Sequence, residues 1–228
     1  MKKAFLFLAL ALAPAFYAAA SGQESSVEMG YGFGNLMEMY SQERENSYTG
    51  LFAIHLSGYT FFNQGMVGMY SRTLFGVPLV SAARNDFADY GSQFQIGMII
   101  GPAFRHALTE NLSLMYGFGP SVLGSSFSYD RDISPSRKTH VEESNTSFGL
   151  GGDVAVRFVI DRNFFLSAGS SLELYFAQFR EVTVAYAENA EGWMKGFFAF
   201  VARPYLAMGF IFSPNLLPRA NYASWSGN

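Results

Sequence analysis

His55 and Ser57 lie two residues apart in the segment HLS, on one side of any extended chain. They are the nearest this sequence comes to a base paired with a nucleophile. Acyl transfer needs base, nucleophile and an orienting acid to converge, and the sequence offers no carboxylate matched to this pair. Of the other histidines, His106 falls in a short turn and His140 in the largest connection. There is no cysteine, so no thiolate metal set, disulfide or lipidated terminus is available. No cofactor or metal is expected. Gly30, Gly32 and Gly34 resemble a phosphate loop only in spelling. A phosphate loop opens a helix, whereas these glycines alternate with Met29, Tyr31 and Phe33.

Charges inside otherwise apolar segments are more informative. Asp153, Arg157, Glu173 and Arg203 each occupy the position that alternates with large apolar residues, as do Gln93, Gln95 and His55. Glu173 and Arg203 fall on neighbouring segments joined by a long connection. Charges confined in a narrow interior need partners, so these residues are expected to form an internal ion-pair and hydrogen-bond network. A gate or solute path is the functional alternative for the same set.

The elements that would carry them follow a period of two. VARPYLAMGFIF, residues 201 to 212, separates into Ala202, Pro204, Leu206, Met208, Phe210 and Phe212 on one side, and Val201, Arg203, Tyr205, Ala207, Gly209 and Ile211 on the other. Strands send successive side chains to opposite faces. Eight such segments occur, near residues 27–34, 52–57, 67–72, 93–100, 112–119, 147–158, 166–176 and 201–212. Short connections (62–65, 105–111, 161–163) alternate with long ones (41–49, 78–91, 128–146, 180–194). The polar run 128–147 is expected to be the most mobile loop.

Half of the residues are hydrophobic, 17% are aromatic and only 14% are charged, against about 25% charged in ordinary soluble domains. Lys2 and Lys3, the apolar run from Ala4 to Leu12, and Ala18–Ala20 read as a secretory signal peptide over residues 1–20. Without Lys2 and Lys3 the chain has 13 basic and 18 acidic residues, a net charge of −5. That excludes a nucleic-acid partner on electrostatic grounds.

Size and charge decide which face is inside. An eight-stranded barrel has room only for its own side chains. The face of Phe, Met, Leu and Ile is too bulky to fit, while the face of Gly, Ser and Ala fits. A cationic side chain facing mid-bilayer costs about 2–4 kcal/mol, so the strand charges point inward and Phe210 and Phe212 face lipid. The expected fold is all-β, an eight-stranded antiparallel up-and-down transmembrane β-barrel over residues 21–212, closed by the last strand on the first. Residues 213–228 form a short tail, expected in the periplasm. Pro204 removes a ladder donor and predicts a local bulge. Tyr40, Tyr48, Tyr90, Tyr129, Tyr186 and Trp193 at the long-loop end, and Phe61, Phe62, Phe104, Phe164 and Phe165 at the short turns, are expected to form two interfacial girdles.

The leader, the eight alternating segments, the alternating loop lengths and the final GFIF, residues 209–212, resemble the small eight-stranded outer-membrane barrels of bacteria, the OmpA-barrel, OmpX and OmpW group. That resemblance implies residence in the bacterial outer membrane, contact with its lipid, and assembly by the barrel-assembly machinery. In that group the last strand ends the chain on an aromatic residue, whereas Phe212 is followed by 16 residues. The functional expectation is a non-enzymatic barrel displaying surface loops, with an environmental or host ligand as a candidate partner. A narrow OmpW-like channel for small or hydrophobic solutes is the alternative, and a lipid-modifying outer-membrane enzyme the second.

Overall fold

The computed structural model describes residues 24–40, 45–62, 66–77, 90–134, 137–161, 163–184, 190–193 and 195–212. Residues 1–23, those after Phe212, and Tyr186 lie outside them. Among the described residues nine strands follow in chain order: β1 (Glu24–Tyr40), β2 (Glu45–Phe61), β3 (Val67–Val77), β4 (Tyr90–Ala107), β5 (Leu112–Ser134), β6 (Arg137–Val159), β7 (Phe164–Val184), β8 (Ala190–Trp193) and β9 (Phe198–Phe212). Each pairs antiparallel with its neighbours, and β9 pairs with both β7 and β1. Eight strands therefore close a ring. The ninth, β8, is four residues that extend β7 beyond the end of its pairing with β9.

Closure satisfies every wall strand on both edges, which is the condition for backbone polar groups to lie in hydrocarbon. The expected eight segments are the eight ring strands. On β9 the burial alternates from Ala199 to Phe210, with Arg203 2% exposed and Phe210 54% exposed. Met29, Ile54, Phe118, Leu150, Phe176 and Leu206 are all more than half exposed, on six different ring strands. The apolar side is the outside.

Two sequence expectations are corrected. The run 128–147 is not a loop: β5 and β6 continue through it as one hairpin, paired from Leu112↔Phe158 up to Ser134↔Arg137. β6 also pairs with β7 up to Val141↔Val184. A 23-residue strand is about 75 Å long at roughly 3.3 Å per residue. Crossing the apolar band takes about 9–11 residues. The wall formed by β5, β6 and β7 therefore stands well beyond one membrane face. The connection 180–194 is likewise partly strand, through the end of β7 and β8.

The irregularity expected at Pro204 is present, carried by the opposite strand. β1 pairs with β9 up to Gly32↔Tyr205 and resumes at Leu36↔Ala202. Three residues of β1 thus face two of β9, a β-bulge beside the missing proline donor. A second break, between Phe148↔Ala177 and Gly149↔Tyr175, leaves Phe176 extra on β7. It shifts the alternation so that Gln178 is buried above it.

Candidate functional site

The inward side chains fill the lumen in layers. Nearest the short turns, Arg157 on β6 donates from Nη1 to Ser26 Oγ at 3.0 Å, and Ser167 donates to Glu28 Oε2 at 2.9 Å. Arg157 Nη2 is 3.7 Å from Glu28 Oε2. The guanidinium lies 3.9 Å over the ring of Phe165, and that of Arg105 lies 4.5 Å over Phe61. Phe61 and Phe165 are 1% and 0% exposed. They correct the expected short-turn girdle, because alternation turns them inward and their neighbours Phe62 and Phe164 outward.

The middle layer centres on Asp153. Tyr59 donates to Oδ2 at 2.8 Å, and the Tyr205 hydroxyl is 3.0 Å from both carboxylate oxygens. Arg72 Nη1 is 2.7 Å from Oδ1, off the N–H axis, so this contact is an ion pair more than a hydrogen bond. The Arg72 guanidinium also stacks 4.1 Å from the Tyr205 ring centre. Tyr59 stacks on Tyr70 at 5.7 Å, and His55 meets Tyr205 edge-on at 4.3 Å.

Above this, Glu173 accepts from Arg203 and from the Tyr175 hydroxyl, and Ser171 donates to it at 3.3 Å. Tyr175 and Ser121 share a hydrogen bond of 2.9 Å. Higher still, Gln178 donates to Ser147 at 3.0 Å, and Glu143 accepts from Arg180 at 2.9 Å and from Asn145 at 3.0 Å. Gln95 is buried on β4. Gln93 lies in the same strand, with its side chain outside the described residues.

Asp153, Arg157, Glu173, Arg203 and His55 are all buried in the lumen, in three different layers. Glu173 and Arg203 meet directly, while Arg157 and Asp153 take partners that the sequence reading did not single out: Glu28, Ser26, Arg72, Tyr59 and Tyr205. All of these shared the inward parity, which was the available signal. What parity cannot supply is which strands stand opposite across the lumen.

One reading of the inward face needs correction. The acid missing beside His55 exists: Glu28 Oε1 is 3.9 Å from His55 Nε2. Neither atom has a hydrogen-bond partner, and neither does the Ser57 hydroxyl. No hydrogen-bonded base–nucleophile relay joins the HLS residues. The small inward residues lie against large ones, as a lumen with room only for its own side chains requires. A Cβ on Gly117 would sit 2.6 Å from the Tyr70 ring, and one on Gly30 would sit 2.0 Å from His55 Cε1. Glycine faces Tyr70 and His55 because nothing larger fits.

On the outer surface Trp193 is 62% exposed and packs against Phe179 and Phe148, at ring distances of 5.5 and 5.9 Å. Tyr40, Tyr90 and Tyr129 are strand residues whose side chains lie outside those described, as does Tyr48.

A closed antiparallel ring of eight strands, apolar outside and polar inside, has solved counterparts. A major outer membrane protein from Thermus thermophilus superposes with a TM-score of 0.56 over 83% of this chain and 99% of its own, at 14% identity. The fold is that of a small outer-membrane β-barrel. Neisserial surface protein A gives a TM-score of 0.49 at 12% identity, over 83% of this chain and 96% of its own. OprG from Pseudomonas aeruginosa gives 0.48 at 9%, over 84% and 97%. No protein-family model matches the sequence, and no curated protein matches it significantly.

Proposed function

We propose that this chain is an integral outer-membrane barrel that neither conducts solutes nor performs catalysis, and that holds the tall β5–β6–β7 wall beyond the outer leaflet. The single observation supporting this is the middle of the lumen. Asp153, Arg72, Tyr59, Tyr70 and Tyr205 converge there from four strands, and each is no more than 3% exposed. Glu173, Arg203 and Tyr175 form a second closed layer above. The carboxylates of Asp153 and Glu173 each accept hydrogen bonds beside an arginine charge, which lets them tolerate burial, and the packed layers resist the displacement that a permeating solute would require. An open pore would instead line its constriction with hydrated, exposed charge.

Planar-bilayer recording of the folded full chain tests this reading. The expected result is no steady conductance above that of the bare membrane. Reproducible unitary steps, abolished on unfolding, would refute it and favour the channel alternative.

A further inference from the structure

The ring is not bonded equally along all its seams. Between β4 and β5 the ladder stops at Ile99↔Ser121 and resumes at Ala103↔Gly117 with its register unchanged. The skipped residues are Ile100, Gly101 and Pro102 against Phe118, Gly119 and Pro120, so one Gly-Pro step faces another. On their other edges the prolines stand in unbroken ladders, Pro102 opposite Met69 of β3 and Pro120 opposite Leu150 of β6. Backbone groups of successive strand residues point to alternate edges, so both missing donors belong to the β4–β5 seam. The unchanged register sets Phe118 opposite Pro102 and Ile100 opposite Pro120, and each carbonyl loses the amide it would accept from. A Cβ on Gly101 would collide with the Phe118 oxygen, and one on Gly119 with the Ile100 oxygen. Glycine Cα groups thus close on these carbonyls, in contacts weaker than the amide bonds they replace. The Phe118 side chain is 57% exposed on the lipid side, where water supplies no substitute donor.

The β1–β9 seam is interrupted as well, between Gly32↔Tyr205 and Leu36↔Ala202. Pro204 lies in that gap, and its other edge is paired without a break, opposite Ser170 of β7. All three prolines among the described residues fall at these two seams. In ring order the seams are opposite one another: β1 to β4 lie on one side, and β5, β6, β7 and β9 on the other. Gly117, Asp153, Ser171 and Arg203 are successive register partners across that second side. Their row runs from the edge of one gap into the other, and Asp153 stands within it.

The side chains that join the two sides across the lumen converge on two acids. Arg72 of β3 and the Tyr59 hydroxyl of β2 reach Asp153 of β6 at 2.7 and 2.8 Å. Ser167 of β7 donates to Glu28 of β1 at 2.9 Å, and Arg157 of β6 lies 3.7 Å from the same carboxylate. The Arg203–Glu173 pair, by contrast, stays within one side.

We infer that the barrel consists of two four-stranded half-shells that part locally at the two proline seams, and that Asp153 and Glu28 are the latch that keeps them closed. Where the wall lacks ladder bonds, closure depends on the bonds that span the lumen. The tall wall of β5, β6 and β7 belongs wholly to one half-shell and moves with it.

Native-state hydrogen exchange of the folded full chain in micelles, read amide by amide by NMR, tests this. By alternation the Ile100 and Phe118 amides face the β4–β5 seam, and those of Ala202 and Leu206 face the β1–β9 seam. The amides of Gly101, Gly119 and Arg203 face unbroken ladders. The seam-facing set is expected to exchange at least about tenfold faster than the other, as local openings of low stability do. Glu28→Gln combined with Asp153→Asn should widen that difference by a further factor of about ten. Pro102→Ala combined with Pro120→Ala returns donors to the β4–β5 seam without touching the lumen, and should slow Ile100 and Phe118 by about tenfold. Equal exchange in the two sets overturns the proposal. So does a latch variant that speeds every ladder alike or none, or a proline variant that leaves Ile100 and Phe118 unchanged.

Discussion

Replacing Asp153 with Asn keeps the shape of the middle layer and removes its charge. Arg72 then loses the anion 2.7 Å away, and the hydroxyls of Tyr59 and Tyr205 lose a charged acceptor. Removing one partner of a buried pair costs about 3–5 kcal/mol. Glu28 and Glu173 remain within electrostatic reach of Arg72, so the lower end, about 3 kcal/mol, is expected. With a urea slope of about 1–3 kcal/mol/M, the unfolding midpoint should fall by about 1–3 M. Arg72→Met should cost a similar amount by leaving Asp153 unpaired. The double variant Arg72→Met/Asp153→Asn should recover most of the loss, because replacing both partners by uncharged groups is often close to neutral. The expected coupling is at least about 2 kcal/mol, in the range that contacting residues show. Reversible urea unfolding of the barrel in micelles, read by tryptophan fluorescence and by mobility of the unboiled protein, measures all four corners. The midpoints should also be insensitive to added salt, since buried pairs are little screened. Single-variant costs below about 1 kcal/mol, or a double-variant cost equal to the sum of the singles, would refute a desolvated, mutually dependent network.

Three further outcomes follow from other parts of the molecule. Gly117→Val should destabilise by about 1–3 kcal/mol through overpacking against Tyr70, and Tyr70→Ala should relieve much of that cost in the double variant; a neutral Gly117→Val would mean that the lumen has slack. In a Trp225→Phe background, Trp193 fluorescence should be quenched by lipids brominated near the headgroup more than by lipids brominated near the chain end, and the reverse order would move the membrane boundary away from Trp193. In the turn before β7, the Asp161 carboxylate accepts from the Asn163 and Phe164 amides at 2.8 and 2.7 Å, which holds its pKa below the ordinary aspartate value. A lowered folded pKa contributes stability above the unfolded value, and that contribution is lost as pH falls through the folded value. Exchange protection of those two amides should therefore be constant at neutral pH and drop only below the aspartate range, and Asp161→Ala should remove the dependence.

Much of the wall was legible because a strand writes its two faces into alternate residues. Phe210 against Arg203, or Leu150 against Asp153, differ so strongly in the cost of facing hydrocarbon that local pattern suffices. The hairpin through 128–147 was not legible, because beyond the bilayer both faces are polar and the alternation that marks a strand disappears. Phe61 and Phe165 were misassigned for a related reason: composition near a turn indicates an interface, whereas only register says which of two adjacent phenylalanines turns inward.

The sequence by itself determined the eight wall strands, their antiparallel order, the apolar exterior and the inward charges, since each depends on near neighbours and on the transfer cost of single side chains. Only the tertiary structure decided that Asp153 serves Arg72 and two tyrosines, that Glu28 stands beside His55, that glycines face Tyr70 and His55, and that Arg157 reaches Ser26. Those facts depend on which strands oppose one another across a tube a few side chains wide. Strand tilt and stagger set that opposition for the whole ring at once, and no single segment encodes it.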